Sequence, residues 1–289
     1  MSDKIGLVLE GGAMRGMFTT GVLDVFMENG ITVDAAIGVS AGATFGCNFK
    51  SKQIGRAIRY NLKYAHDKRY CSFYSLFTSG DLYNADFCYN VLPNQLDLFD
   101  YETFNSNPME FYVVVTDAET GKPLYKKFTD CGKKDMLWMR ASASMPLVSR
   151  PVEIDGGKFL DGGIADSVPL EYFESIGFEK NIVILTQPRD FIKQLPKFFT
   201  FTKLLLHRYP KIVEAIATRH QRYNKQREYI FSREKEGKIL VICPEKALGI
   251  NRTEKNVAEL ERVYQEGRRT AEKRLEEIKK FLAAGRMSI

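Results

Sequence analysis

Nothing in this chain narrows its architecture more than LEGGAMRGMFTTG, the stretch from Leu9 to Gly21. Before it, Ile5, Leu7, Val8 and Leu9 read as a buried strand; after it, Phe18, Val22, Leu23 and Phe26 recur at helical spacing up to Gly30. A strand, a tight glycine turn and a helix form the opening step of an α/β fold. The turn is also an anion site, because free backbone N–H groups and the positive end of the helix face the same point. The anion is either a cofactor phosphate or an oxygen that becomes negative only during a reaction.

The same alternation continues. Val33 to Ser40 reads as a second strand with a helix from about Ala41, and residues 51–100 as helices and loops rich in Tyr and Phe. Phe111 to Asp117 is a strand that turns through AETGKP into LYKKF. Lys133 to Ser144 is a helix stopped by Pro146, and PVEIDGGKFLDGG a hairpin followed by a glycine loop. Asn181 to Pro188 and Lys238 to Pro244 are further strands, and one charged helix is expected from about Asn256 to Leu282. Continuous apolar strands alternating with helices predict an α/β fold with a mostly parallel central sheet.

A dinucleotide site is a poor match. GGAMRG approximates G-x-G-x-x-G only if Ala13 stands for the middle glycine. The acidic residue that should close the second strand is missing, since Asp34 lies at its start and Ser40 at its tip. IGVSAG instead has the form G-x-S-x-G, which exposes a serine hydroxyl on a sharp strand-to-helix turn. Gly38 and Gly42 flank Ser40 where Cβ atoms would crowd the turn. The bland alternative is a glycine-rich helix start with an N-cap serine.

A nucleophilic serine needs a base. His66, His207 and His220 lie in basic stretches, and none closes an expected strand. Two carboxylates are better candidates. Asp155-Gly156-Gly157 separates PVEI from KFL and has hairpin-turn chemistry. Asp161-Gly162-Gly163 follows the second strand piece and leads into a loop, so Asp161 is favoured as the base and Asp155 as a turn residue.

At this point four motifs, in order, resemble the patatin-like phospholipases, acyl hydrolases with a Ser-Asp dyad. GGAMRG is similar to that family's glycine-rich oxyanion loop, GVSAG to its nucleophile elbow, ASASMP over Ala141–Pro146 to its alanine-serine-proline segment, and the DGG at Asp161 to its D-G-[AG]. The match runs from about Ile5 to Gln187 and looks most like the bacterial, cytosolic branch. The resemblance implies a three-layer α/β/α sandwich, Ser40 as nucleophile and Asp161 as proton acceptor. It implies an oxyanion hole from the N–H groups of Gly11, Gly12 and Ala13, with Arg15 beside it and Gly16, Gly38, Gly42, Gly162 and Gly163 as motif glycines. Ala13 departs from the family's third glycine; if that position needs positive φ, alanine costs on the order of 1 kcal/mol.

The scheme requires no metal and no cofactor. Cys47, Cys71, Cys88, Cys131 and Cys243 are scattered without ligand spacing and read as reduced thiols. No signal peptide or spanning apolar run is seen, so a cytoplasmic location, with peripheral membrane contact, is expected. From Phe191 to Lys235 eleven Lys and Arg face only three Glu, interleaved with Phe191, Phe198, Phe199, Phe201 and Leu204 to Leu206. This segment suits an anionic lipid surface or a core helix with a basic outer face, and both readings stay open. Nucleic acid is not expected, as no recognition motif accompanies the charge. The expected division is a catalytic core over 5–190 and a basic helical extension over 191–289 carrying one further strand. The expected partner is a lipid ester; oligomeric state is unassigned. The competing functions are a Ser-His-Asp esterase and a catalytically silent lipid-binding module.

Overall fold

The computed structural model describes residues 4–195 and 199–286; Lys197 and Phe198 of the basic segment lie outside the described residues. One sheet contains β1 (Ile5–Leu9), β2 (Ala35–Val39), β3 (Glu110–Asp117), β4 (Pro123–Lys127), β5 (Val152–Ile154), β6 (Gly157–Asp161), β7 (Lys180–Ile184) and β8 (Ile239–Ile242). Neighbours hydrogen-bond in the order β5-β6-β3-β2-β1-β7-β8, and β4 pairs with β3. The four pairings from β3 through β8 are parallel, and those of β3 with β4, β3 with β6 and β5 with β6 are antiparallel.

The helices are α1 (Gly16–Glu28), α2 (Ala41–Lys50), α3 (Arg56–Tyr64), α4 (Phe73–Ser79), α5 (Tyr101–Ser106), α6 (Lys133–Ser142), α7 (Leu170–Ser175), α8 (Phe199–Leu205), α9 (Pro210–Lys235), α10 (Val257–Lys273) and α11 (Leu275–Arg286). A π-helix with Pro93 inside it occupies Phe87–Leu96. The single charged helix expected over 256–282 is two helices. The chain turns at Arg274, whose guanidinium donates to the Val241 carbonyl at 2.5 Å and to Glu277 at 2.8 Å, so the helix path is bent by a contact to β8.

Strand alternation sets the layers. Ile5, Leu7 and Leu9 point into a core shared with Phe18, Val22 and Phe26 of α1 and Leu260 and Val263 of α10. Val8, Ile37 and Val39 point into the opposite core, against Phe173 of α7 and Tyr223 and Ile230 of α9. Burial on both faces is why these strands are apolar at every position. Two helical layers around a mostly parallel sheet make the three-layer α/β fold.

The two helices of the basic segment differ in burial. In α9, Ile212, Ala215, Tyr223, Arg227 and Ile230 are buried, so this helix packs on the sheet, while Lys211, Glu214, Lys225 and Glu228 are exposed. In α8 no described residue is buried, and Phe201 and Leu204 are 59% and 68% exposed.

Candidate active site

Strand register brings the two candidate residues together. Val114 of β3 pairs with Val39 on one side and Tyr125 on the other; Val115 pairs with Leu124 and Asp161. Because β4 takes one edge at both positions, β2 and β6 share the other edge of β3. They run toward each other and meet there, β2 ending at Val39 before Ser40 and β6 ending at Asp161. The Ser40 hydroxyl faces the Asp161 carboxylate across this junction and favours its ionised form.

Ser40 has φ 54° and ψ −121°, a sparsely populated conformation that an L-residue holds only when its surroundings impose it. Those surroundings are tight. A Cβ on Gly38 would press on the backbone of Ala43, and one on Gly42 on the carbonyl of Leu9. The Ser40 N–H donates to Ser142 Oγ at 2.9 Å, and Ser142 is fully buried. Ser142 was not singled out from the sequence, although it lies inside the quoted ASASMP segment. Its neighbour Ser144 accepts the Asp161 N–H through its carbonyl at 2.9 Å, so one segment braces both ends of the junction.

The glycine turn lies beside them. The N–H groups of Gly11, Gly12 and Ala13 donate no hydrogen bond among the described residues, while the Gly12 carbonyl accepts from the Arg15 N–H at 3.2 Å. Ala13 has φ 49°, the left-handed region in which a side chain is strained. Gly16 starts α1 against the Phe45 ring and Ala41. Beneath the turn, buried Glu10 accepts from the Tyr223 hydroxyl and the Thr186 N–H, each at 2.6 Å. Thr186 Oγ1 also contacts the Gly11 carbonyl at 3.3 Å and receives Arg15 Nε at 3.4 Å. Glu10, Thr186 and Tyr223 escaped the sequence reading. Only the charge of Glu10 inside an apolar run could have drawn notice.

Asp161 is 6% exposed. Burial pushes its carboxyl above the ordinary aspartate range, opposed by the Ser40 hydroxyl, the Arg219 charge, the Gly163 N–H at 2.8 Å and the Arg252 charge. Gly162 packs against the Val114 backbone and Gly163 against Arg219. Asp155 is elsewhere, in the β5–β6 hairpin, where it and Gly156 have φ 51° and 82° and its carboxylate pairs with Lys134. Two positive φ values in succession are those of a type I′ turn.

Ser40 opens on two cavities, which share Ala13, Ser40, Met145 and Arg252. The first, about 280 Å³, is mainly apolar, with Phe45, Tyr60, Leu92, Phe99 and Met139 among its walls beside Arg56, Asp81 and Arg140, which are ion-paired. The aromatic residues of 51–100 therefore serve both as core and as cavity wall. The second, about 240 Å³, contains the glycine turn, Asp161 and the cations Arg15, Lys193, Arg219 and Arg252. His66, His207 and His220 line neither cavity. Among the described residues, no group of three or more His, Cys, Asp or Glu is arranged to hold a metal ion, and no helix is long and apolar enough to cross a membrane.

A serine on a strained strand-to-helix elbow, facing a carboxylate and a glycine turn in a three-layer α/β fold, defines the structural class of this chain. It belongs to the patatin-like phospholipase family, whose sequence model matches residues 7–174. A second model, a domain of unknown function designated DUF6363, matches residues 209–283. The protein YjjU of Escherichia coli is 31% identical over 191 residues, covering 64% of this chain and 52% of its own length. A protein named lysophospholipase nte1, from Aspergillus fumigatus, is 25% identical over 186 residues, covering 60% of this chain and 11% of its own. The chain thus spans about half or less of the curated relatives it matches. The crystal structure of VipD from Legionella pneumophila superimposes over 96% of this chain and 67% of that one, at 14% identity and a TM-score of 0.45.

Proposed function

We propose that the protein is a serine acyl hydrolase acting on carboxylic esters of lipids. The observation that carries this reading is the meeting of Ser40 and Asp161 at one edge of β3, beside undonated N–H groups and at the mouth of an apolar cavity. Asp161 takes the Ser40 proton as the hydroxyl attacks the ester carbonyl, and the new oxyanion lies against the N–H groups of Gly11, Gly12 and Ala13. Such donors contribute roughly 3–4 kcal/mol each in other hydrolases. Asp161 then protonates the leaving alcohol and activates the water that cleaves the acyl-enzyme. Burial supports this role, because a desolvated carboxylate is a stronger base than an exposed one.

The family and the name of the Aspergillus relative support a phospholipid or lysophospholipid as substrate. A lipid surface is the proposed partner. The apolar residues offered to it are Phe201, Leu204 and Leu205 on α8, which adjoins the second cavity through Thr202.

The test is hydrolysis of a short-chain p-nitrophenyl ester, with wild type beside Ser40→Ala, Asp161→Asn and Asp155→Asn. Turnover lost in the first two variants and kept in the third is expected. Turnover that survives Ser40→Ala overturns the reading.

A further inference from the structure

The second cavity holds more positive charge than the acyl-transfer scheme uses. Arg15, Lys193, Arg219 and Arg252 line it, against Glu10 and Asp161. Each carboxylate already has its own donor: Tyr223 and Thr186 for Glu10, and the Gly163 N–H for Asp161, with the Ser40 hydroxyl facing it. None of the four cations forms an ion pair of its own among the described residues, although eighteen such pairs occur elsewhere in the fold. Arg219 Nε is buried with no hydrogen-bond partner, and its Nη2 donates to Ser167 Oγ at 3.5 Å. Lys193 has its ammonium over the Tyr223 ring, 4.1 Å from the centroid. Gathering four cations without an ion pair of their own is unfavourable, and an anion bound among them relieves it.

Three of the four come from beyond residue 190, outside the stretch matched by the family model. The apolar cavity on the other side of Ser40 takes an acyl chain, so the cationic cavity faces the alcohol half of the ester. Resting on the hydrolase reading above, we propose that this cavity is a subsite for a phosphate carried on the alcohol half of the substrate, with Lys193, Arg219 and Arg252 as its specificity-determining residues. With Lys193 protonated, four cations against two carboxylates leave an excess of two positive charges. A phosphate monoester, with about −1.5 to −2 charge at neutral pH and three acceptor oxygens, matches that excess. A choline phosphodiester brings a cation of its own and matches it less well. Cleavage forms the Ser40 Oγ–acyl bond and breaks the bond from acyl carbon to alcohol oxygen. That oxygen takes the proton held by Asp161, and the phosphorylated alcohol leaves through the cationic cavity.

The experiment measures kcat/KM, below the micellar limit, for three esters of one medium acyl chain: the monoacylglycerol, its phosphomonoester and its choline phosphodiester. The phosphomonoester is expected to exceed the neutral ester by about 100-fold, and that ratio to fall about 10-fold in Arg252→Gln and in Lys193→Gln, the scale of a charge-assisted hydrogen bond. Arg252 is exposed, and circular dichroism verifies that its variant keeps the fold. Calorimetry of glycerol 3-phosphate and of inorganic phosphate on Ser40→Ala protein gives a readout independent of turnover.

Equal kcat/KM on the three esters, with turnover abolished by Ser40→Ala, overturns the subsite and leaves the hydrolase. Turnover of no ester, but glycerol 3-phosphate binding that weakens about tenfold in Arg252→Gln, supports the subsite and overturns the hydrolase. Inorganic phosphate bound as tightly as glycerol 3-phosphate, without a preference among the esters, overturns the assignment to a substrate phosphate. Neither preference nor binding overturns it as well.

Discussion

The Tyr223 hydroxyl of α9 donates a 2.6 Å hydrogen bond to Glu10, 213 positions earlier in the chain, and both residues are buried. Glu10 immediately precedes the glycine turn, so a helix from the basic segment supports the proposed oxyanion loop from below. Tyr223→Phe leaves that carboxylate oxygen without its donor and is expected to cost about 1–3 kcal/mol of stability. Denaturant unfolding reads the loss, and ester hydrolysis should fall with it. An unchanged midpoint together with unchanged turnover would remove the coupling.

The pH profile follows from Asp161. Burial raises its pKa above the ordinary 3.8, and the base must be ionised to accept the Ser40 proton. Activity is therefore expected to fall on the acid side at a pH above 3.8. Arg252 favours the ionised carboxylate, so Arg252→Gln should move this limb to higher pH. A limb that moves downward, measured as kcat/KM on a neutral ester, would contradict the assignment.

Lys193 gives a second, separable dependence. Burial, reinforced by the charges of Arg219, Arg15 and Arg252 and opposed by Glu10, brings its pKa down to about 7. It is charged below that value and neutral above it, and a bound anion raises it again. Glycerol 3-phosphate affinity should weaken from pH 7 to 8.5 in wild type, and less steeply in Lys193→Met. Calorimetry at both pH values checks the difference between the two slopes.

Ala13 carries backbone strain in its left-handed conformation. Ala13→Gly removes a cost of about 1 kcal/mol, which for a chain of this size corresponds to roughly 2–4 °C in Tm. A lower Tm in the glycine variant, by calorimetry, would show that the methyl contributes packing that outweighs the strain.

The exposed face of α8 predicts lipid binding. Replacing Leu204 and Leu205, each about half exposed or more, by Asp should weaken binding to vesicles of anionic phospholipid by at least tenfold, given roughly 1.5–3 kcal/mol for burying one such side chain. Vesicle co-sedimentation measures it, with circular dichroism verifying the fold. Unaltered binding would move the contact off α8.

Local backbone requirements were readable from adjacent residues, and contacts between distant segments were not. Gly38 and Gly42 marked the elbow because crowding around Ser40 excludes any Cβ next to it. The two DGG tripeptides could be told apart because one joined strand to strand and the other joined strand to loop. The strand and helix order emerged from the same kind of local pattern. Ser142 could not be read as the partner of the Ser40 N–H, since the two are 102 positions apart and nothing in either neighbourhood encodes the meeting. The cationic cavity was legible only as an excess of charge over 191–235. Its convergence depends on α9 packing its apolar stripe on the sheet and on Arg252 arriving from beyond β8. The bend at Arg274 was hidden for the same reason, because its cause is a carbonyl on another strand.

The first strand of the chain lies in the interior of the sheet, between β2 and β7. One neighbour is translated within a few tens of residues; the other, Lys180–Ile184, comes only after most of the chain has been made. At ribosomal speeds of about 5–20 residues per second, β1 waits on the order of ten seconds or more with one edge unpaired. Asp161 and three of the four cations of the second cavity are translated late as well. On the reading proposed above, a nascent chain therefore has no assembled site with which to attack the membranes around it, and competence arrives with the completed sheet.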